Sequence, residues 1–149
     1  MFNSLHRHVP EARVLDLYAG SGAMGLESIS WGAGFCLFVE SRPDAQKTIR
    51  SNIQHLNVDA CTELWPITAE HAVARLRKQS RTFDLIICDP PWRNGISQSV
   101  HGLLGQLLTE SGILVVEHPT GGDFGSFTGL RLIQRRRYGS TSVSFWTRD

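Results

Sequence analysis

The stretch Val14-Leu15-Asp16-Leu17-Tyr18-Ala19-Gly20-Ser21-Gly22-Ala23-Met24-Gly25 decides the fold of this chain. An apolar run leads into a glycine-rich turn, and apolar residues then recur at helical spacing as far as Trp31. A strand, a tight turn and a helix in this order begin a βαβ unit. The spacing G-x-G-x-x-G indicates that a ligand approaches the backbone closely at the turn.

Segments of strand and helix character continue to alternate after this turn. The apolar patterns predict strands at 12–18, 35–39, 62–68, 83–88 and 113–117, and helices at 23–31, 43–55, 69–78 and 98–108. This alternation is typical of a parallel sheet with helices on both faces. Two more strands, 130–137 and 141–147, flank Tyr138-Gly139-Ser140, which predicts a hairpin. We therefore predict an α/β, Rossmann-like fold whose mixed seven-stranded sheet ends in an antiparallel hairpin.

Length and composition predict a single globular domain over residues 1–149. The hydrophobic content of 41% and the charged content of 19% are ordinary for a globular protein. No apolar run approaches the roughly 20 residues that span a bilayer, and the first residues lack the apolar core of a secretory signal. We expect a cytoplasmic monomer that does not associate with a membrane.

The charge is unevenly distributed along the chain. Residues 129–149 carry five arginines against Asp149, a net charge of +4, whereas the rest has ten basic and thirteen acidic residues, a net charge of −3. This basic end could face phosphates or be the solvated face of a strand. The three cysteines, Cys36, Cys61 and Cys88, are widely spaced, and the six histidines form no ligand cluster by spacing, so no metal site is predicted.

Two acids give the glycine turn its ligand preference. Glu40 follows the second strand, where an acid that binds a ribose diol is expected. Asp16 lies just before the turn, and its carboxylate would repel the pyrophosphate of NAD at the helix N-terminus. S-adenosylmethionine has no phosphate and carries an ammonium and a sulfonium, so Asp16 would attract it. In the alternative interpretations, Asp16 only orders the loop and Glu40 is a surface acid.

The predicted donor site combines these acids with the backbone of the turn. We expect Asp16 to hold the methionine end of S-adenosylmethionine, directly or through water, with help from the turn. The turn residues in this prediction are Ala19, Gly20, Ser21 and Gly22.

A second motif, Asp89-Pro90-Pro91-Trp92, follows the buried strand 83–88. It therefore lies at the carboxyl edge of the sheet, beside the glycine turn. Consecutive prolines make a rigid turn with free carbonyls, so the Asp89 carboxylate and the Pro90 carbonyl can accept N–H bonds from an aryl amine. These acceptors would position the amine for methyl transfer, while Trp92 offers a face on which a flipped base can stack. The alternative interpretation is a structural Pro-Pro turn.

With these motifs the chain resembles the bacterial guanine-N2 methyltransferases of 16S ribosomal RNA. The resemblance rests on residues 14–27, Val39-Glu40, Phe83-Asp84-Leu85 with Asp89-Pro90-Pro91, Leu114-Val115-Val116-Glu117, and Arg137-Tyr138-Gly139-Ser140-Thr141. It implies a seven-stranded class I methyltransferase fold, S-adenosylmethionine as cofactor, and ribosomal RNA or the small ribosomal subunit as partner. It also implies catalytic roles for Asp89, Pro90, Pro91 and Trp92.

The chain departs from the family pattern at three places. We expect the glycine- and arginine-rich stretch that normally precedes Phe2-Asn3-Ser4-Leu5 to be missing. Trp92 stands where the family has tyrosine or phenylalanine. No clear adenine-contacting acid follows the third strand, and Glu70 is the nearest candidate for that role.

Other functions stay open at this point. Methylation of adenine N6 or of another amino group is an alternative, although such families more often have asparagine at the position of Asp89. A nicotinamide oxidoreductase is supported only by the glycine spacing and Glu40. A non-catalytic remnant or scaffold that binds S-adenosylmethionine is a third alternative. Glu117 and His118 end the fifth strand at the same edge and could border the acceptor pocket.

Overall fold

The computed structural model describes residues 5–91, 93, 95–121 and 125–149. The strands are β1 (Arg13–Asp16), β2 (Phe35–Val39), β3 (Thr62–Trp65), β4 (Phe83–Cys88), β5 (Leu108–Pro119), β6 (Leu130–Tyr138) and β7 (Thr141–Arg148). The helices are α1 (Ala23–Ser30), α2 (Pro43–Leu56), α3 (Ala69–Lys78) and the short α4 (Gln98–His101), with 3-10 turns at Asp59–Cys61 and Leu104–Leu107. Strands and helices alternate as far as β5, as the sequence predicts.

The strands form one seven-stranded sheet in the order β3-β2-β1-β4-β5-β7-β6. β1 pairs in parallel with β2 and β4, and β4 pairs in parallel with β5. β7 is antiparallel to both β5 and β6, so β6 runs in the same direction as β5. The strand order reverses between β1 and β4, which opens a crevice at their carboxyl ends. The predicted α/β fold with a mixed sheet and a C-terminal antiparallel hairpin is confirmed.

The central strands are buried on both faces of the sheet, which is why their sequences are continuously apolar. On one face, Leu85 packs in a cluster with Leu26 of α1 and Ile49 of α2. On the other face, Ile86 packs in a cluster with Leu76 of α3. In the described part of the chain no helix is long and apolar enough to cross a membrane.

Several element boundaries differ from the sequence-based prediction. β1 and β3 are shorter than predicted, because their last predicted residues lie in the loops that border the crevice. The predicted helix over 98–108 is instead α4 followed by a 3-10 turn. Within that turn, Gly105 approaches Thr128 so closely that an added Cβ would lie 2.6 Å from the Thr128 carbonyl oxygen. β5 begins at Leu108 instead of 113, because its pairing with β4 contains an irregularity between Phe83 and Leu85.

The C-terminal hairpin turns tightly at Gly139, whose φ of 64° is favourable for glycine. β6 is the edge strand, and its residues from Arg131 to Tyr138 are exposed. β7, in contrast, is buried between β5 and β6 over most of its length. The hairpin therefore closes the core with β7 and presents β6 to solvent.

Candidate active site

The turn between β1 and α1 has the backbone conformation that its glycines allow. Gly20 and Gly22 have φ values of 58° and 82°, in the left-handed region that favours glycine. Gly22 N donates to Ala19 O at 2.8 Å, which closes the turn just before α1. An added Cβ at Gly20 would meet nothing within 4 Å, so the backbone is open to the crevice there.

Asp16 lies beneath this turn and is only 2% exposed. Its Oδ2 accepts a hydrogen bond from Gly25 N at 3.0 Å. Burial raises the pKa of Asp16 to about 7, the Gly25 hydrogen bond lowers it, and the charges of Asp89 and Glu40 raise it further. Asp16 therefore orders the glycine turn through its hydrogen bond with Gly25, which is the alternative interpretation of this residue. Contact between Asp16 and a methyl donor stays a prediction.

The carboxylate of Glu40 joins two segments at the rim of the crevice. Gly20 N donates to Oε1 at 2.7 Å and Arg42 N donates to Oε2 at 2.9 Å. Nε of Arg42 lies 3.7 Å from the same Oε2. Each carboxylate oxygen can accept more than one hydrogen bond, so Glu40 keeps acceptor capacity for a ligand while fixing the loops around it.

A cavity of about 680 Å³ opens between these loops and the carboxyl ends of the strands. This volume lies within the roughly 300–1,000 Å³ of small-molecule sites. Six of the predicted site residues line it: Gly20, Glu40, Glu70, Asp89, Pro90 and Pro91. Glu70 reaches the cavity because Thr68, whose Oγ1 accepts from His71 N at 3.2 Å, caps α3 there. The site predicted from two distant motifs is therefore one crevice.

The other predicted residues do not line the cavity or are not described. Ala19 is buried in the core, and Ser21 O accepts from Asn52 Nδ2 at 3.3 Å. Gly22 is close to Ile49, so its lack of a side chain serves packing. Trp92 lies outside the described residues.

Asp89 and Glu117 form a carboxyl pair at the acceptor end of the cavity. The last paired residues of β4 and β5 are Cys88 and Val116, so Asp89 and Glu117 follow side by side. Burial raises the pKa of Asp89, and a hydrogen bond with Glu117 lowers it. Burial, the charge of Asp89 and that hydrogen bond all raise the pKa of Glu117. Both carboxyls therefore keep their protons to a higher pH than isolated carboxyls do.

Among the cavity residues without a predicted role, Tyr18 and Arg42 carry polar groups that could contact a ligand. Tyr18 lines the cavity, and its buried hydroxyl has no hydrogen-bond partner among the described residues. Burial, and then the charges of Cys88 and Glu70, raise the pKa of Tyr18 far above its ordinary value, so the phenol stays protonated. Tyr18 lies two residues after β1, and Arg42 lies three residues after β2. This location just after a strand was the only feature of the sequence that could have pointed to either residue.

The topology and the site together define a class of protein. The chain has the S-adenosylmethionine-dependent methyltransferase fold. This fold combines a sheet of this strand order with a glycine turn after β1, an acid after β2 and an Asp-Pro-Pro turn after β4. The chain belongs to the family described as Conserved hypothetical protein 95, which matches residues 1–147. The predicted class I methyltransferase fold is therefore confirmed.

Curated relatives support this assignment. The chain is 30% identical over 149 residues to YlbH of Bacillus subtilis, a candidate rRNA methyltransferase, with 98% of this chain and 81% of YlbH covered. It is 31% identical over 104 residues to Ribosomal RNA small subunit methyltransferase D of Buchnera aphidicola, with 70% of this chain covered. That match spans only 53% of the Buchnera protein.

Solved structures share the fold. The Escherichia coli protein yhhF, a candidate methyltransferase, superposes with a TM-score of 0.86 at 23% identity over 99% of this chain and 81% of that chain. A candidate methyltransferase named SMU.776, complexed with SAH, superposes with a TM-score of 0.78 at 14% identity over 96% of this chain and 48% of that chain. At these identities the superpositions show the fold alone.

Stability is expected to depend on pH through Asp16. The pKa of Asp16 is about 7 in the folded chain, compared with an ordinary value of 3.8. Between these two pH values the folded chain therefore keeps a proton that the unfolded chain loses. The contribution of Asp16 to stability should therefore decrease as pH rises from 3.8 to about 7. We expect Asp16→Asn to gain stability relative to the wild type over this interval, measured by urea unfolding.

The exposed acid Asp59 provides the matched control for this experiment. Asp59→Asn should leave the pH dependence of the free energy of unfolding as it is in the wild type. Curves for Asp16→Asn and the wild type that stay parallel from pH 4 to pH 8 would show that Asp16 ionises normally.

Proposed function

We propose that this chain methylates the N2 amino group of a guanine in small-subunit ribosomal RNA, with S-adenosylmethionine as the methyl donor. The observation that carries the proposal is that the glycine turn, Glu40 and the Asp89-Pro90-Pro91 turn line one cavity. A donor site and an amine-accepting turn in one crevice suit direct transfer between two bound molecules. The proposed substrate places this activity in the cytoplasm.

The residues of the cavity fit S-adenosylmethionine better than a dinucleotide. Glu40, Glu70 and Asp89 line the cavity against one arginine, Arg42, so its lining carries more acidic than basic groups. Such a site attracts a cationic ligand and repels a pyrophosphate. The unpartnered hydroxyl of Tyr18 adds a donor for a polar ligand atom. When bound, S-adenosylmethionine supplies an electrophilic methyl group on its sulfonium.

Glu40, Glu70 and Asp16 would have different roles toward the donor. Glu40 would accept the ribose hydroxyls, since it lines the cavity beside Gly20 and its carboxylate keeps acceptor capacity. Glu70, at the start of α3, would contact the adenine. Asp16 would act on the ammonium through the turn that it orders, because it is buried below that turn.

The Asp89 turn would hold the acceptor amine. The Asp89 carboxylate and the Pro90 carbonyl would each accept one amine N–H, which directs the nitrogen lone pair toward the donor end of the cavity. Glu117 would help to orient the Asp89 carboxyl, because the two groups are hydrogen-bonded to each other. Fixed acceptors of this kind lower the barrier because they need no reorganisation during the reaction.

A carboxylate at this position favours guanine over adenine. Guanine presents two adjacent donors, N1–H and the N2 amine, and a carboxylate can accept from both. Adenine presents the N1 acceptor beside its N6 amine, and an ionised carboxylate has no proton to donate to it. An ionised Asp89 therefore supports guanine N2 as the target atom.

Nucleoside analysis of the methylated RNA tests this assignment. Small ribosomal subunits from cells without the corresponding methyltransferase are incubated with the chain and S-adenosylmethionine, and the RNA is digested and analysed by mass spectrometry. We expect N2-methylguanosine. N6-methyladenosine would instead support the adenine alternative, and unmethylated RNA with bound donor would support a non-catalytic remnant.

Glu40 is expected to control the affinity for the donor. Glu40→Ala removes the acceptor for ribose and also the acceptor of the Gly20 and Arg42 N–H groups. Loss of one hydrogen bond to a charged group costs about 1.5–3 kcal/mol, so Kd for S-adenosylmethionine should rise at least about tenfold in calorimetry. The exposed acid Glu110 gives the control Glu110→Ala, which should bind normally. Equal affinity of both variants would remove Glu40 from the donor site.

A further inference from the structure

The arginines of β6 lie at the same edge of the sheet as the active site. β6 runs in the direction of β5, so its carboxyl end, Arg135–Tyr138, lies at the edge where β4 ends at Cys88. Three strand spacings separate β6 from β4 in the order β4-β5-β7-β6, a distance of about 14 Å at roughly 4.8 Å for each spacing. The basic segment that the sequence singled out is therefore a neighbour of the acceptor turn.

The register shows how the arginines are distributed around this edge. Arg136 is paired with Val143, and Val143 is paired with Glu117, so these residues form one row across the sheet toward Asp89. Arg135 and Arg137 are paired with Ser144 and Ser142 and point to the other face of the sheet. The end of β6 thus presents positive charge on both faces.

Arg136 and Arg137 contact neutral partners. No aspartate or glutamate occurs between residues 124 and 148. Arg137 Nε donates to the neutral Gly139 carbonyl at 3.2 Å. In the amide orientation that satisfies both side chains, Gln134 Oε1 accepts from Arg136 Nε at 2.9 Å. Such contacts orient a guanidinium but leave its charge available to an anion.

Two further features connect this segment with the acceptor side. Burial lowers the pKa of His118 at the end of β5, its hydrogen bond with Pro119 raises it, and the charge of Arg135 lowers it again. Arg135 is paired with Ser144 of β7, and Ser144 is paired with Val116 of β5, so Arg135 lies two strands from the end of β5. Tyr138, at the end of β6, is 50% exposed and offers a ring on which a base can stack.

We infer that the carboxyl end of β6, Arg135, Arg136 and Arg137 together with Tyr138, binds the RNA backbone beside the target guanine. This inference rests on the proposed function, because it identifies where the RNA substrate lies. A stacked strand rises about 3.4 Å per nucleotide, so the 14 Å between β6 and β4 correspond to about four nucleotides. Arginines on both faces suit a strand that crosses the sheet edge toward Asp89.

Charges on an edge strand also prevent pairing with another sheet edge. That role alone needs no particular position along the strand. On β6, however, three consecutive arginines and the aromatic ring lie at the end nearest the cavity, while the other half carries one arginine, Arg131, beside the exposed Leu132 and Ile133. This asymmetry in charge favours RNA binding over a purely protective role.

The test compares two variants that each lose three positive charges. One is Arg135→Gln, Arg136→Gln, Arg137→Gln; the control is Lys47→Gln, Arg50→Gln, Lys78→Gln, which changes exposed residues on α2 and α3. Binding to transcribed small-subunit ribosomal RNA is measured at several salt concentrations. Calorimetry with S-adenosylmethionine shows whether each variant keeps its fold and donor site.

For the β6 variant we expect Kd for RNA to rise at least about tenfold and the slope of log Kd against log salt to become shallower by about 2. Donor binding should not change, and the control should bind RNA as the wild type does. Equal RNA binding by the wild type and both variants, with methyl transfer intact, would overturn the inference alone. Self-association of the β6 variant, with unchanged affinity for RNA, would also overturn the inference, because the arginines would then only protect the sheet edge. A wild type that neither binds nor methylates RNA would overturn the proposed function as well.

Discussion

Asp89→Ala is expected to reduce methyl transfer by about 100- to 1000-fold, the cost of removing one fixed hydrogen-bonding group from a site of this kind. The variant loses the carboxylate that accepts the amine N–H, and Glu117 loses its hydrogen-bond partner. Donor binding should stay within about twofold of the wild type, because Glu40 and the glycine turn are unaffected. The measurement is single-turnover methyl transfer to small ribosomal subunits, with calorimetry for the donor.

Two companion variants sharpen this prediction. Asp89→Asn keeps one oxygen acceptor, so its rate should lie between those of the wild type and Asp89→Ala. Asp59→Ala removes an exposed acid outside the cavity lining and should keep the wild-type rate. A wild-type rate for Asp89→Ala would mean that the Asp-Pro-Pro turn is only structural.

Gly25→Ala is expected to lower the free energy of unfolding by about 3 kcal/mol, at the upper end of overpacking effects. The added Cβ would contact Phe38 and would lie 2.7 Å from Cys36 Sγ and 3.0 Å from Asp16 Oδ2. Because Gly25 N also donates to Asp16, the movement that relieves the clash would disturb the turn above it. Urea unfolding measures the stability, and donor affinity should decrease with it.

Gly102→Ala is the matched control for this effect. Gly102 has a φ of −72°, and an added Cβ would have only an ordinary contact at 3.5 Å, with Gln98 O. Here alanine should leave stability unchanged or raise it by up to about 1 kcal/mol, since it restricts the unfolded chain. Equal stability of the two variants would contradict the close approach at Gly25.

Local patterns predicted the fold where propensity and tertiary packing agree. α3 and β4 occur where their periodicity placed them, and the hairpin turns at Gly139. The helix predicted after β4 was too long because Gly105 must approach Thr128, a contact between residues distant in sequence. The irregular start of β5 likewise depends on its pairing with β4. Such long-range constraints leave no signal in a single stretch of sequence.

The part of the candidate site that lies directly after strands was predictable from the sequence, because the carboxyl ends of parallel strands meet at one edge of the sheet. The glycine turn, Glu40 and the Asp89 turn each follow a strand, so the sheet topology brings them together. The contact between Asp89 and Glu117 was not predictable, because it depends on the register between β4 and β5. The burial of Asp16 and the unpartnered hydroxyl of Tyr18 also depend on packing that only the structure shows.

The most direct test of the proposed activity is transfer of a labelled methyl group from S-adenosylmethionine to small ribosomal subunits. The subunits come from cells that lack the corresponding methyltransferase, and the wild-type chain is compared with Asp89→Ala. We predict that the wild type places label in the RNA and that Asp89→Ala places little or none. Absence of label with the wild type, although it binds S-adenosylmethionine, would contradict the proposed function.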